Sequence, residues 1–429
     1  MKTKQLKSLT VCALMLAMGL TACSHDKDEL IVPPAPETGS LSIAFRANEL
    51  TTRALDKTAT SLEKELKTVH AFIYKANKTL EKVAVFSVDD FTKSGDSYAL
   101  KTGHEIEGLE GGAKEVALGI NLPATLVGQI QGNGSTGMTS AYNLTVAELS
   151  DPTNGYVMFS DIQPAQITAG STTTVSNPFG VDRIVAKLSV KTKPGISMKV
   201  AGGRIDGITY NVQNINKEIY PVAPTLYKSE TIDRTVPANY IAVDPVPEED
   251  TPVADTQHTY MTEYKPVLPL ADDSYPTYVR IRCTFIPTHY VTDADGKLST
   301  TESAGGDFWT LPLKDGAVAY FVDKDMAQAY FNNVKNAGKI FNPETKEFEQ
   351  LVVKYAEGKV DYGVFLHKTA NKFDVVRNNY YMITITAING LGEPSGKEQI
   401  DPKEKGDLVS FDLVINDWEG VEADDEQIS

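Results

Sequence analysis

Tyr380-Tyr381-Met382-Ile383-Thr384-Ile385-Thr386-Ala387-Ile388 alternates along its length and is rich in β-branched and aromatic residues. Alternation of period two with Ile, Thr and Tyr is the pattern of a strand packed on one face. The same signal recurs in both directions from it. Upstream stand Val69 to Tyr74, Ala84 to Phe86, Val116 to Leu122, Tyr156 to Phe159, Ile184 to Val190, Tyr278 to Phe285 and Val360 to Leu366; downstream stands Leu408 to Ile415. Turn residues such as Gly111-Gly112 and Asp151-Pro152-Thr153-Asn154-Gly155 punctuate these runs. Helix is the minority: Asp323 to Asn336 has helical composition and ends near Gly338, and Val146 to Leu149 fits one turn. Many short strands and few helices predict an all-β chain made of β-sandwich domains. Asn177-Pro178 breaks the chain before a fresh strand, which puts a domain boundary at Phe179 to Arg183. Val236 to Tyr264, rich in Pro, Asp and Glu, reads as a surface excursion of the second domain.

The chain has 429 residues, of which 41% are hydrophobic, enough to build a core in more than one domain. A formal net charge of −16 argues against nucleic acid and against an anionic lipid surface as partners.

Lys2, Lys4 and Lys7 precede an apolar run from Leu9 to Leu20, and Leu20-Thr21-Ala22-Cys23 closes it. A basic start, a short apolar centre and small residues before a cleavage point make an export signal, and the run is too short to span a bilayer as a retained helix. A cysteine directly after the small residues resembles a bacterial lipobox, in which the Cys23 thiol takes a diacylglycerol and tethers the exported chain to a membrane. Residues 24–37, SHDKDELIVPPAPE, are charged and proline-rich and read as a solvated tether. With Cys12 in the signal and Cys23 lipidated, Cys283 remains alone, so no disulfide forms within the mature chain. It lies in an alternating run and reads as a small buried apolar side chain.

Gly39 to Ala54 reads GSLSIAFRANELTTRA. Leu41, Ile43 and Phe45 alternate with Ser42, Ala44 and Arg46, which predicts one half-buried strand. Thr51-Thr52-Arg53-Ala54 then presents an arginine in a polar stretch open to proteolysis. A cut between Arg53 and Ala54 removes both lipid and strand, leaving an apolar groove with unpaired backbone groups. The C-terminal segment from Leu408 carries Val409, Phe411, Leu413 and Ile415 on one face. Roughly 22 residues at about 3.3 Å each reach about 70 Å, enough to enter a neighbouring molecule. Strand addition of this kind takes affinity from main-chain hydrogen bonds and register from alternate side chains. Head-to-tail contacts of this sort build filaments.

The lipobox, the arginine before Ala54 and the run Val375-Val376-Arg377-Asn378-Asn379-Tyr380-Tyr381, followed by Leu391-Gly392, resemble the fimbrillins of Bacteroidales type V pili, most closely the Mfa-type minor fimbrillin. Asp417-Trp418 matches the late tryptophan of that family. Val181 to Lys187 and Gly306 to Trp309 are looser echoes. The resemblance implies two transthyretin-like β-sandwich domains in tandem, at 54–182 and 183–429, after a signal at 1–23 and a removable tether and strand at 24–53. It further implies lipidation at Cys23, an outer-membrane precursor, an arginine-specific protease acting between Arg53 and Ala54, and a surface fimbria built by strand exchange. The implied partners are other copies of the chain and related fimbrial subunits, with Val409, Phe411, Leu413, Ile415, Trp418 and Val421 as donor-strand candidates. Glu419 to Ser429 is acidic with only Val421, Ala423 and Ile428 apolar, which leaves open the donor register and the choice between shaft and tip subunit.

Gly132-Asn133-Gly134-Ser135-Thr136-Gly137 fits a nucleotide-binding fingerprint literally but has no βαβ context, so it reads as a loop. Asp293-Ala294-Asp295-Gly296 opens like a calcium loop, yet Ala304 stands where the bidentate Glu belongs, which leaves a hairpin turn. The six His residues show no pair at metal-ligand spacing, and the serine-hydrolase elbow is absent. Trp309 and Trp418 suit sugar stacking or plain packing. No cofactor and no enzyme activity are expected. A structural polymer subunit accounts for the lipobox, the arginine and the removable strand together. A glycan-binding surface lipoprotein, the alternative, explains the lipid and the strands but not the arginine; an extracellular hydrolase lacks a nucleophile.

Overall fold

The computed structural model describes residues 37–47, 63–198, 200–225, 232–235, 239–245, 258–266, 276–343, 345–366, 373–397, 400 and 408–417. The alternating runs are strands, and the chain is all-β with a small share of helix, as its sequence indicates.

Eight strands open the fold: β1 (Thr38–Ser42), β2 (Ala44–Ala47), β3 (Thr68–Lys75), β4 (Leu80–Ser87), β5 (Phe91–Ser94), β6 (Ser97–Leu100), β7 (Ile106–Glu110) and β8 (Gly112–Ile120). Strand β1 lies between Thr172–Thr174, to which it is parallel, and β7, to which it is antiparallel. The longer sheet runs β4-β3-β8, then Met158–Ser160, Phe179–Arg183, β2, β6 and β5, with Gln163–Ile167 also on β8. The two sheets share one apolar core that includes Leu41, Leu109, Phe72, Leu118, Phe159 and Phe179. The helix α1 (Ala124–Gly132) adds Leu126 and Ile130 to it. Asn121 ends β8 at a left-handed φ of 56°. Its side chain accepts from the Lys67 N–H (2.9 Å) and donates to the Glu65 and Tyr156 carbonyls (2.8 and 3.1 Å), which fixes a turn few other side chains tolerate.

A second sandwich follows. One sheet centres on Val185–Met198, parallel to Asn379–Ile388, which in turn pairs antiparallel with Val409–Asp417. His258–Thr262, inside the expected surface excursion, is a strand of this sheet. The facing sheet centres on Gly203–Gln213, Tyr278–Pro287 and Lys359–Phe365. Its own core includes Leu188, Tyr210, Ile281, Cys283, Val364, Ile385 and Leu413. A satellite cluster around Leu311, Phe321, Ala327 and Ile340 packs beneath the helix Lys324–Asn332. Asp323 caps that helix, its carboxylate accepting from the Met326 N–H at 2.7 Å. The helix is shorter than its composition suggests, because a 3-10 turn takes over at Val334–Asn336.

Two readings change. The glycine-rich run 132–137 is the last residue of α1 followed by a 3-10 turn, Gly134–Thr136, rather than a free loop. The helix α1 itself escapes the sequence reading, since Gly128 and Gly132 dilute its pattern. Asp293–Gly296 is a turn as expected: the Asp293 carboxylate accepts from the Asp295 and Lys297 N–H groups, and Val291 bridges Leu298.

Candidate functional site: the slot around the N-terminal strand

Strands β1 and β2 form one extended segment that crosses from the small sheet to the large one and is central in both. Gly39, Leu41, Ile43 and Phe45 face inward and are buried, with Leu41 and Phe45 0% exposed, while Arg46 is exposed. Burying three such apolar side chains contributes roughly 5–9 kcal/mol. Phe45 stacks on Tyr98 with centroids 4.9 Å apart and planes 4° from parallel, and meets the Phe91 ring edge-on at 5.1 Å. The backbone is held on both flanks. Ser40 N–H donates to the Ser171 carbonyl (3.1 Å), Leu100 N–H to Ile43 (3.0 Å), Gly111 N–H to Glu37 (3.2 Å) and Gly170 N–H to Thr38 (3.0 Å). Withdrawing the segment therefore opens both sheets in their interior and strips partners from four strands.

Gly39 meets a tight wall. A Cβ there would sit 2.3 Å from the Thr168 carbonyl oxygen, 3.0 Å from Ile167 Cγ2 and 3.1 Å from the Ser171 carbonyl oxygen. The alternation of Leu41, Ile43 and Phe45 reveals the strand, but nothing local in the sequence reveals this restriction on residue 39.

Glu63, at the border of the two sandwiches, is 0% exposed. Lys187 Nζ lies 3.1 Å from its Oε1, also 0% exposed, and sits over the Tyr380 ring. The Tyr260 hydroxyl donates to Glu63 at 2.5 Å and takes a hydrogen bond from Tyr156 at 2.8 Å; His258 Nε2 lies 2.6 Å from the same hydroxyl. Arg183 Nε donates to the Glu63 carbonyl at 3.0 Å. Burial first, and the hydrogen bond to the Glu63 carboxylate second, push the Tyr260 phenol far above its ordinary range. The cluster ties the strand Phe179–Arg183 of the first sandwich to Val185–Met198 and His258–Thr262 of the second.

The Val375–Tyr381 run does related work. Arg377 pairs with Glu263 (2.6 Å) and donates to the Pro221 and Tyr220 carbonyls at 2.9 and 2.8 Å. Asn378, at a left-handed φ of 58°, accepts from Arg183 at 3.1 Å and donates to Asp182 at 3.2 Å. Gly392 is equally constrained: a Cβ would lie 2.5 Å from the Asp361 carbonyl oxygen.

Of the donor-strand candidates, Val409, Phe411, Leu413 and Ile415 lie on Val409–Asp417, the edge of the second sandwich's sheet. Val409 and Leu413 are buried in that core and Phe411 and Ile415 pack against it. Cys23, Arg53, Ala54, Trp418 and Val421 lie outside the described residues. Cys283 is buried, and burial pushes its thiol well above the usual range, which leaves it inert as a nucleophile. Among the described residues no group of three His, Cys, Asp or Glu side chains is placed to hold a metal ion. No described helix is long and apolar enough to cross a membrane.

Residues 353–424 match the family model described as Major fimbrial subunit protein type IV, Fimbrillin, C-terminal. The fimbrillin resemblance carried by the Val375–Gly392 run holds over this segment. Among solved structures, a fimbrilin of Porphyromonas gingivalis W83 is similar at 15% identity and a TM-score of 0.49, covering 89% of this chain and 98% of that one. The C-terminally truncated tip fimbrial protein Mfa3 of Porphyromonas gingivalis is similar at 13% identity and a TM-score of 0.41, over 89% of this chain and 100% of that one. A protein named for cell adhesion from Parabacteroides distasonis is similar at 12% identity and a TM-score of 0.49, over 90% of this chain and 100% of that one. No curated protein matches.

Proposed function

We propose that the chain is a fimbrial subunit, exported as a lipoprotein through Cys23, cut between Arg53 and Ala54 by an arginine-specific protease, and joined to its neighbours by a strand that refills the vacated slot. One observation carries this reading: a segment ending in Ala47, buried at the centre of two sheets, is connected to the rest of the sandwich only through a stretch that contains Arg53. A stable domain has no need of a protease-ready arginine next to a strand that is central in its sheets. A domain that must stay closed until it reaches the surface does.

The match of residues 353–424 to a fimbrillin family model supports the assignment. In this reading the C-terminal segment from Leu408 is the strand that the chain gives to a neighbouring subunit. Val409–Asp417 pairs on one side only among the described residues, so it can leave its sheet without splitting it. Domains at 54–182 and 183–429 belong to this reading; two separate apolar cores support a division, although the first core also takes in Leu41, Ile43, Phe45, Ile184, Val185 and Ile219.

N-terminal sequencing of protein sheared from cells tests the reading. The expected first residue is Ala54, and Arg53→Ala is expected to abolish both that terminus and the ladder of oligomers. Normal polymerisation of the Arg53→Ala protein would overturn it.

A further inference from the structure

Resting on the slot reading above, we propose that the slot selects a strand from a second, non-identical chain, one that carries glycine at its first inward position and apolar side chains at the next three. The native occupant shows the requirement. Its inward residues are Gly39, Leu41, Ile43 and Phe45, and the atom nearest a Cβ at residue 39 is a backbone carbonyl oxygen, that of Thr168, with Ile167 Cγ2 and the Ser171 carbonyl oxygen behind it. The wall is itself fixed. Ser171 N–H and Oγ both donate to the Thr168 carbonyl, Thr168 N–H donates to Thr173 Oγ1, and Gly170 turns the chain at a φ of 71°. Even an alanine at this level must move that turn, and a β-branched residue is excluded more firmly.

Residues 401–429 of a second copy do not meet this pattern in any register. The run Val409, Phe411, Leu413, Ile415 supplies four apolar teeth, but in the occupant's register it puts Val409 where only glycine fits. Sliding it so that Val409 takes the Leu41 place brings Asp407 to the wall. Starting from Gly406 places Leu408, Ser410 and Asp412 in the three apolar places, and starting from Gly420 places Glu422, Asp424 and Glu426 there. Reversed in direction, Gly420 brings Trp418, Asn416 and Val414, and Gly406 brings Glu404, Pro402 and Ile400. Every register puts either a Cβ against the Thr168 carbonyl or a polar group in an apolar place, which costs binding. The tail of this chain therefore serves a different slot, and this slot receives a different strand.

The test uses the full chain with a site for a sequence-specific protease placed over residues 50–53. After cleavage it is incubated with fluorescent peptides, and exchange into the slot is read by anisotropy. Three peptides are compared: residues 37–47, the same peptide with Gly39→Val, and residues 406–429. The expected result is uptake of the first, with the second and third at least tenfold weaker. Uptake of the 406–429 peptide as tightly as the first, or equal uptake of the Gly39→Val peptide, would overturn the selection while leaving the slot intact. Failure of the unmodified 37–47 peptide to enter would overturn both the selection and the slot. Gly39→Val in the uncut chain gives an independent reading: its melting temperature should fall, and an unchanged value would refute the wall.

Discussion

At the scale of single residues, the Glu63–Lys187 pair makes the sharpest statement about stability. Both side chains are fully buried, so removing one charge strands the other in a medium that solvates it poorly. Lys187→Met is expected to cost about 3–5 kcal/mol, with much of that recovered when Glu63→Gln is added. Denaturant titration of the two variants checks this; a cost under about 1 kcal/mol, the range of surface pairs, would refute the burial. The buried phenols give a pH dependence of defined sign. Burial pushes Tyr74, Tyr264, Tyr320 and Tyr381 up to about 12 from an ordinary 10.0. Each folded pKa lies above its unfolded value, so the contribution is complete below pH 10 and is lost as pH rises from there toward 12. The denaturant midpoint should hold from pH 8 to 9.5 and fall steeply above pH 10; a flat profile to pH 12 would contradict the burial.

Among the elements, β2 is the link between the two parts of the long sheet. Among the described residues the hairpin of β5 and β6 joins the long sheet through β2 alone, since the order runs Phe179–Arg183, β2, β6, β5. Once the segment is cut and displaced, amide exchange should accelerate at 97–100, 106–110, 172–174 and 179–183, while the Tyr278–Pro287 strand keeps its protection. Hydrogen exchange measured before and after displacement checks this, and uniform protection in both states would mean that the slot closes by itself. How much of this was legible in the sequence depends on whether a signal is local. Leu41, Ile43 and Phe45 announce their strand because alternation is a property of neighbours, as it is at 380–388. The central placement of that strand rests on pairings more than a hundred residues away, such as Ser40 with Thr172, and no local pattern encodes them. Glu63 is one acid among 57, and Gly39 owes its role to a turn at 168–171, so neither could be picked out in advance. The Val375–Tyr381 run stands out by resemblance alone; the contacts of Arg377 and Asn378 explain why those side chains are needed.

For the whole molecule, the cut after Arg53 acts as a change in effective concentration. While residues 48–62 connect the segment to its slot, the occupant is present at an effective concentration on the order of millimolar, and a competing strand at micromolar levels loses by mass action. Cleavage removes that advantage without removing a single contact, so the mature chain stays filled until a strand of equal fit arrives. Exchange must then break the main-chain hydrogen bonds of β1 and β2 as the newcomer makes its own, each worth about 1 kcal/mol net, and is expected to be slow. Two observations should follow when the labelled 37–47 peptide is offered at micromolar concentration. The uncut chain takes up none over a day, and the cut chain takes it up over hours, at a rate that rises when Phe45→Ala weakens the resident strand. That substitution removes the Tyr98 stack and should destabilise the uncut chain by about 3–5 kcal/mol. Equal uptake by cut and uncut chains would show that the connection does not guard the slot, and the role assigned to Arg53 would fall with it.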